Sequence, residues 1–223
     1  MKIIEPYFEI LDPIDGNAIL QKFERAGRIC YKSEDRIAPG SAPDFISRII
    51  KSGHHSVIEH VSITVRLVSD RGVTHELVRH RLASYSQEST RYANYISDRF
   101  GKEITVIKPP FWPEDSPAYR QWCEAMKTAE THYIRLIEMG AKPQEARSVL
   151  PNSLKTEIVM TCNIREWRHV FTLRCTPQAH PQIRQLMLPL LEEFHEKIPV
   201  LFDDLHDRFF TRGSEKDKMF RLP

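Results

Sequence analysis

The stretch HVSITVRLV at residues 60–68 decides the fold class, because apolar and polar side chains alternate from residue 60 to residue 67. Successive side chains of a β-strand point to opposite faces, so one face of this stretch is apolar and consists of Val61, Ile63, Val65 and Leu67. The intervening side chains are polar or charged. We therefore predict a strand over His60–Val68 that packs one face on a core.

The segments before this strand predict one further strand and two helices. Residues 3–11 are predicted to be extended. A helix is predicted from Asp15, and its core-facing positions are Ile19, Leu20, Phe23, Ala26, Ile29 and Cys30. A second helix is predicted over Ala42–Ser52, where Gly53 ends it.

The segments after the strand continue the mixture of strands and helices. Asp70-Arg71-Gly72 predicts a turn before a helix over Val73–Leu82, whose last turn carries Arg79, His80 and Arg81, and a loop follows over Ala83–Tyr92. Further on, the predicted elements are a strand over Ile104–Ile107, a long helix over Ala118–Ile137 ended by Gly140, a short helix from Pro143, a strand over Leu154–Asn163, a helix over Arg165–Arg174 and a mostly helical tail. This mixture predicts an α+β (mixed α/β) fold. Since no repeat, low-complexity segment or break in composition is present, we predict a single domain over residues 1–223.

Composition narrows the class of partner. The chain has 223 residues with 32 basic and 30 acidic side chains, a net charge of +2, so a broad basic surface for nucleic acid is not expected. Its 41% apolar residues are enough for a core without metals or disulfides. The four cysteines form no CxxC pair, and the start MKIIEPYFEI lacks an apolar signal core. We expect reduced thiols, a cytoplasmic location and no membrane partner.

The stretch RHRLASYSQESTRY at residues 79–92 has the composition of a nucleotide site. Arg79, Arg81 and Arg91 offer planar forks of donors that suit phosphate, and the serine and threonine hydroxyls between them add further hydrogen-bonding groups. A solvated charged loop is the plain alternative. Three arginines this close repel one another unless an anion lies among them, and Glu88 alone does not neutralise them, so we favour the nucleotide site.

Two other segments carry candidate functional groups. GHHSVIEH at residues 53–60 joins imidazoles and a carboxylate where a helix gives way to the strand, but no HExxH spacing accompanies it, so we expect no metal and favour helix capping or hydrogen bonding to a ligand. In the predicted helix from Arg165, the side chains of Arg165, His169 and roughly Thr172 share one face, whereas Arg174 lies nearly opposite. A solvated basic helix is the alternative there. Neither a P-loop nor a GxGxxG turn is present.

A resemblance connects these segments. Arg79-His80-Arg81, seven residues and then Ser89 match the RHRx7S signature, and the chain resembles the flavin-dependent thymidylate synthases. Gly53-His54 with Ser56 and Glu59-His60, Arg147 before Leu150-Pro151, and Asn163-x-Arg165 through Leu173-Arg174 match in the same order. The resemblance implies a central twisted, mostly antiparallel sheet flanked by long helices, and a homotetramer with active sites shared between subunits. It also implies transfer of a one-carbon unit from methylenetetrahydrofolate to dUMP, with FAD as cofactor and NADPH as reductant.

The resemblance also implies site residues. Those at dUMP-contacting positions are Glu76, Arg79, Gln87, Ser89, Thr90, Arg91, Arg147 and Arg174. Those at FAD-contacting positions are His54, Ser56, Arg79, His80, Arg81, Gln87, Asn163, Arg165 and His169. Arg174 is the predicted catalytic residue, because a permanent cation near the uracil ring favours ionisation at nitrogen 3 and activates carbon 5.

Several positions depart from the family pattern. Ser86-Gln87 stands where asparagine and glutamate are frequent, Cys30 replaces a serine, and Glu76 replaces a glutamine. The segment at residues 177–181, PQAHP, replaces the usual SHAQW, which leaves a flavin contact from that loop open. Two alternatives to dUMP methylation follow: a related flavin-dependent alkylase of another pyrimidine nucleotide such as UMP, and a module that binds nucleic acid through its arginines.

Overall fold

The structure, a computed structural model, describes residues 1–97 and 101–211. In this part of the chain the strands are β1 Lys2–Ile4, β2 Tyr7–Ile10, β3 Ser62–Asp70, β4 Ala83–Gln87, β5 Thr105–Ile107 and β6 Lys155–Asn163. The α-helices are α1 Gly16–Tyr31, α2 Ala42–Lys51, α3 Arg71–Leu77, α4 Pro117–Glu138, α5 Pro143–Ala146, α6 Ile164–Arg174, α7 Pro181–Lys197 and α8 Pro199–His206. The predicted mixed α/β class is therefore confirmed.

Two sheets contain these strands. A four-stranded sheet has the order β2-β3-β6-β4 and is antiparallel, as predicted. A two-stranded sheet pairs β1 with β5 in parallel, with Lys2 opposite Thr105 and Ile4 opposite Ile107. Among the described helices, none is both long enough and apolar enough to cross a bilayer.

The alternating stretch forms the predicted strand. β3 begins at Ser62 and continues to Asp70, two residues later at each end than predicted. Ile63, Val65 and Leu67 are at most 1% exposed, while Ser62 is exposed. β6 shows the same alternation from Lys155 to Asn163. Burial of one face thus fixes the register of both strands.

The predicted N-terminal strand over residues 3–11 is wrong as a single element. It divides at Glu5-Pro6 into β1 and β2, which belong to different sheets. Proline has no backbone N–H to donate to a ladder, so a break at this position lets each half pair with a different neighbour.

Helix α1 starts as predicted but buries a different stripe. The Asp15 side chain caps it by accepting a hydrogen bond from the Ala18 backbone N–H at 3.0 Å. Ile29 is 57% exposed and Cys30 is exposed, so their predicted core positions are wrong. The buried stripe instead consists of Leu20, Phe23, Glu24, Gly27 and Arg28. Charge is tolerated there because Arg28 and Glu24 satisfy each other, with Nη2 and Oε1 at 2.8 Å.

The predicted helix over Val73–Leu82 and the loop over Ala83–Tyr92 are both corrected. Asp70 is the N-cap of α3, accepting from the Val73 N–H at 2.8 Å, but the helix ends at Leu77. The Tyr85 hydroxyl donates to the carbonyl oxygens of Leu77 at 2.6 Å and His80 at 2.9 Å, so these carbonyls are satisfied without further helix. Residues predicted as loop form the strand β4 instead.

The long helix and the helix predicted over Arg165–Arg174 are confirmed. α4 runs from Pro117 to Glu138, the Ser116 hydroxyl caps it by accepting from the Tyr119 N–H at 3.1 Å, and Gly140 follows in the left-handed conformation with φ +95°. α6 runs from Ile164 to Arg174, within one residue of the prediction.

The described residues divide into two compact units. The first unit comprises Met1–Glu9, Arg66–Arg81 and Tyr85–Met160, and the second unit comprises the described residues of Ile10–Val65, Leu82–Ser84 and Thr161–Pro223. The core of the first unit includes Tyr95, Ile104, Val106, Tyr133 and Leu154. The core of the second unit includes an aromatic cluster of Trp167, Phe171, Phe194 and Phe202, with ring centroids 5.4 to 5.9 Å apart. A single domain over residues 1–223 remains a prediction.

Candidate functional site

A cavity of about 680 Å³ lies in the second unit beside helix α6, and we call it the α6 cavity. Its lining residues are His55, Glu59, Leu82, Asn163, Arg165, Glu166, Arg168, His169 and Thr172. The volume falls within the range of about 300 to 1,000 Å³ that is usual for small-molecule and cofactor sites. Three of the five residues that the resemblance assigned to flavin in the second unit therefore line one cavity: Asn163, Arg165 and His169.

The orientation of α6 follows from its start and its buried face. Asn163 is the last residue of β6 and the N-cap of α6, with Oδ1 accepting from the Glu166 N–H at 2.9 Å. Trp167 is fully buried, and its Nε1 donates to the Ile63 carbonyl oxygen at 3.0 Å. With this face fixed in the core, Arg165, His169 and Thr172 line the cavity together, as the helical spacing predicted.

The cavity lining combines cationic and acidic groups. Arg165 Nη1 lies 2.5 Å from Glu59 Oε1, and both side chains are largely exposed. Burial raises the pKa of Glu166, while the nearby His169 and Arg165 act in the opposite direction. With the amide of Asn163 and the imidazole of His55, this donor set suits an anionic ligand rich in hydrogen-bond acceptors.

Arg168 anchors the wall of the cavity. The Arg168 side chain is 9% exposed and makes a bidentate pair with Asp204, with Nη1 to Oδ1 at 2.8 Å and Nη2 to Oδ2 at 2.6 Å. Nη1 also donates to the Leu201 carbonyl oxygen. The paired guanidinium lowers the pKa of Asp204, against the effect of burial. Arg168 therefore ties the cavity helix α6 to α8.

The first unit holds most of the residues predicted to contact dUMP. Thr90 is buried, and its Oγ1 accepts a hydrogen bond from Arg147 Nη1 at 3.3 Å, so two predicted positions 57 residues apart are neighbours. Gln87 Nε2 donates to the hydroxyls of Thr74 at 2.9 Å and Thr156 at 3.3 Å. Gln87, which stands where the family frequently has glutamate, thus has two nearby hydroxyls that hold its side-chain amide.

The arginines of the RHRLASYSQESTRY stretch have no carboxylate partner in the part of the chain that the structure describes. Arg79, Arg81 and Arg91 are exposed. Glu88, the acid within this stretch, pairs instead with Lys155 Nζ at 3.1 Å. Their charge is thus available to an anionic ligand, in agreement with the sequence argument.

The remaining predicted residues occupy other places. In the first unit, Glu76 and Ser89 are half-buried and His80 is buried. In the second unit, Arg174 is half-buried at the last position of α6, and Ser56 is exposed in the 3₁₀ helix His55–Glu59. His54 lines a different cavity of that unit, where its Nδ1 is hydrogen-bonded to the Tyr31 hydroxyl. The assignments of His54 and Ser56 to flavin remain predictions.

Sequence reasoning left six lining residues out of its site list: His55, Glu59, Leu82, Glu166, Arg168 and Thr172. The GHHSVIEH stretch carried the signal for the first two. The 3₁₀ helix His55–Glu59 begins and ends at the two residues that line the cavity. Leu82 and Arg168 carried no local signal, because their positions depend on tertiary packing.

Comparisons with known proteins agree on one family. A family model described as thymidylate synthase complementing protein matches residues 17–200. The flavin-dependent thymidylate synthase of Corynebacterium aurimucosum is 35% identical over 210 residues, covering 86% of this chain and 82% of that protein. The protein of the same name from Mycobacterium tuberculosis is 34% identical over 219 residues, with coverage of 90% and 84%.

A solved structure shares the fold. The crystal structure of the UMP/dUMP methylase PolB from Streptomyces cacaoi, bound with 5-Br dUMP, superposes with a TM-score of 0.74 at 24% identity, covering 94% of this chain and 98% of that chain. The complex of the same enzyme with 5-Br UMP gives a TM-score of 0.73 at 20% identity, with coverage of 94% and 97%.

Proposed function

The chain belongs to the thymidylate synthase complementing protein family, the flavin-dependent thymidylate synthases, and we propose that it converts dUMP to dTMP. The reaction consumes dUMP, methylenetetrahydrofolate, NADPH and a proton, and it yields dTMP, tetrahydrofolate and NADP⁺. The observation that carries the proposal is the family match over residues 17–200, which spans the α6 cavity and the RHRx7S arginines.

The residues of the α6 cavity fit a flavin. FAD combines a pyrophosphate with a heterocycle rich in hydrogen-bond acceptors, and the lining offers the guanidinium of Arg165, the imidazoles of His55 and His169 and the amide of Asn163. When bound, the flavin supplies the hydride chemistry that no side chain provides. We propose that Asn163, Arg165 and His169 hold it, together with Arg79, His80, Arg81 and Gln87, which lie in the first unit.

The dUMP site is proposed at the arginines of the first unit. Arg79, Arg91 and Arg147 supply the charge for the phosphate, and the Thr90 hydroxyl, already bonded to Arg147 Nη1 at 3.3 Å, helps to orient that guanidinium. Arg174 is the proposed catalytic residue, because its permanent charge stabilises negative charge that develops on the uracil ring. We propose that Ser89 serves as a hydrogen-bonding group and not as a nucleophile; its Oγ accepts a hydrogen bond from the Arg91 N–H at 3.3 Å.

The residues predicted to contact dUMP lie in the first unit except for Arg174, which belongs to the second unit, as do all the residues that line the α6 cavity. We propose that the protein assembles as a homotetramer with active sites shared between subunits. We also propose a cytoplasmic location, in agreement with four free cysteines among the described residues.

A second candidate substrate is UMP. The solved structure that shares the fold is named a UMP/dUMP methylase, and it was determined with a brominated analogue of each nucleotide. A permanent charge on arginine recognises phosphate and uracil whether or not the sugar has a 2′-hydroxyl. Turnover with dUMP and UMP in parallel distinguishes the two.

The test begins with the visible spectrum of the purified protein, with added FAD, before and after addition of dUMP. We expect oxidised-flavin bands that shift with dUMP, followed by dTMP formation when methylenetetrahydrofolate and NADPH are supplied. Equal turnover of UMP and dUMP would instead indicate a methylase that accepts both pyrimidine nucleotides. A protein that takes up no flavin, and that binds DNA or RNA with a steep salt dependence, would replace the proposal with the nucleic-acid module.

A further inference from the structure

A second cavity of the second unit has an unusually basic lining. It has a volume of about 510 Å³, and we call it the basic cavity. Its lining residues are Arg28, Tyr31, Lys32, Ser33, Asp35, Arg36, Phe45, Arg48, Ile49, Ser52 and His54. Four permanent cations therefore face one carboxylate, whereas the whole chain has 32 basic and 30 acidic residues.

Three of these cations have no carboxylate partner among the described residues: Lys32, Arg36 and Arg48. Arg28 does have one, since its Nη2 lies 2.8 Å from Glu24 Oε1. Like charges gathered around a concave surface raise the free energy of the site unless an anion occupies it. The charge of the lining therefore favours a ligand with more than one negative group.

Helix ends account for only part of this charge. Cations are favoured in the last turn of a helix, and Arg28 and Arg48 lie in the last turns of α1 and α2. Lys32 lies beyond α1 in the left-handed conformation, with φ 48° and ψ 49°, which a lysine adopts at a cost. Arg36 belongs to a separate 3₁₀ helix, Glu34–Arg36.

Side-chain contacts hold the back of the basic cavity together. The Ser41 hydroxyl is 2.8 to 2.9 Å from both oxygens of Glu24, which in turn holds Arg28, and the Arg28 guanidinium lies 4.3 Å over the centre of the Phe45 ring. Beside this wall, the ring of Tyr31 is 50% exposed and stacks near His54, with centroids 6.2 Å apart. An exposed aromatic face next to unpaired cations suits a ligand in which a ring is linked to anionic groups.

Consecutive residues line the two cavities of the second unit. His54 lines the basic cavity and His55 lines the α6 cavity, and consecutive Cα atoms are about 3.8 Å apart. We propose that the basic cavity binds the anionic end of a co-substrate whose reactive ring acts at the α6 cavity. This inference rests on the proposed function, because it takes the α6 cavity as the place of the chemistry.

Two co-substrates of the proposed reaction have such an end. The folate carries glutamyl carboxylates linked to a p-aminobenzoyl ring, and NADPH carries phosphates linked to adenosine. Both present several negative charges beside a ring, and the same arginines recognise either group. The two sources are separated by testing a probe for each: free tetra-γ-glutamate for the folate, and adenosine 2′,5′-bisphosphate for NADPH.

The experiment measures binding of each probe to the flavin-loaded protein by titration calorimetry, without turnover. The test variant carries Arg36→Glu and Arg48→Glu, and it leaves the Arg28–Glu24 pair of the core intact. The control variant carries Lys22→Glu and Arg25→Glu, which change the net charge equally at exposed positions of α1 outside the basic cavity. Circular dichroism of both variants establishes that they fold.

We expect one probe to bind the wild type and the control within about twofold of each other. We expect at least a tenfold loss in the test variant, as the removal of charge-assisted hydrogen bonds predicts. Failure of both probes to bind, or an equal loss in both variants, would overturn the proposal. Because binding is read without dTMP formation, a protein that binds a probe but makes no dTMP would refute the proposed function and leave the basic cavity as a polyanion site.

Discussion

Replacing Arg168 with methionine tests whether the bidentate pair with Asp204 stabilises the second unit. The Arg168 side chain is only 9% exposed, and its guanidinium makes two hydrogen bonds of 2.8 and 2.6 Å to Asp204 and one to the Leu201 carbonyl. Methionine keeps much of the aliphatic volume but removes all three hydrogen bonds. The change therefore isolates the polar contribution of the side chain.

The expected magnitude follows from the burial of the two partners. Breaking a fully buried ion pair costs about 3 to 5 kcal/mol. Asp204 is 54% exposed, so water recovers part of its hydration once the arginine is gone, and we expect a loss of about 2 kcal/mol. For a chain of this size, that corresponds to a midpoint lowered by roughly 4 to 8 °C.

The effect has a defined pH dependence. The pKa of Asp204 in the folded protein lies below its ordinary value of 3.8, so the pair contributes its full stability above that value. The contribution is lost as pH falls through the folded pKa. Wild type and Arg168→Met should therefore differ most near neutral pH, and the difference should shrink as the pH falls below about 4 toward the folded pKa of Asp204.

The assay is urea unfolding followed by tryptophan fluorescence in a background in which Trp112 and Trp122 are replaced by phenylalanine, so that the buried Trp167 is the reporter, at pH 7 and at pH 3.5, with flavin and protein concentrations held constant. Asp203→Asn is the matched control, because Asp203 is 62% exposed and pairs with His195 at the surface, where such a pair contributes less than about 1 kcal/mol. An Arg168→Met protein whose free energy of unfolding equals that of the control at pH 7 would refute the reasoning.

Three further predictions concern the rest of the chain. Arg174→Ala should keep the fold and the flavin spectrum but lose dTMP formation, and wild-type turnover would remove its catalytic role. Gly27→Ala should lower the free energy of unfolding by about 1 kcal/mol in urea titration, because the added Cβ would lie 2.6 Å from the Phe45 ring and the overpacking outweighs the helix propensity that alanine adds. Cys30 is exposed, whereas burial raises the pKa of Cys162, so a thiol reagent followed by mass spectrometry should label Cys30 first and leave Cys162 unlabelled at pH 8.

The sequence predicted elements well where a pattern was long and one-sided. β3 and β6 alternate over many residues, and α4 has both an apolar stripe and a glycine at its end, so local sequence and tertiary burial agree there. β4 was missed because its sequence, ASYSQ, is rich in serine, which is typical of loops, and its strand state depends on a neighbouring strand of the sheet. The end of α3 was missed because it depends on the Tyr85 hydroxyl, eight residues further along.

Buried charge explains the main error in the core. The spacing of apolar residues predicted that Ile29 and Cys30 face the core, but α1 buries Glu24 and Arg28 instead. These two charged residues form an i, i+4 ion pair, and the Ser41 hydroxyl also bonds to Glu24, so their polar groups are satisfied inside the protein. No periodicity of apolar residues reveals such a pair. The same limit applies to Arg168, whose role at the cavity wall depends on Asp204, 36 residues away.

The site itself depends on which face of α6 the core takes. Trp167 and Phe171 pack with Phe194 and Phe202. Trp167 Nε1 also donates a hydrogen bond to the carbonyl oxygen of Ile63, the second residue of β3. These contacts fix the rotation of the helix, since each residue turns it by about 100°. A shift of one residue in the buried face would turn Arg165 and His169 away from the cavity. The Ile63 carbonyl of β3 and the aromatic cluster together therefore determine which side chains of α6 are available to a ligand.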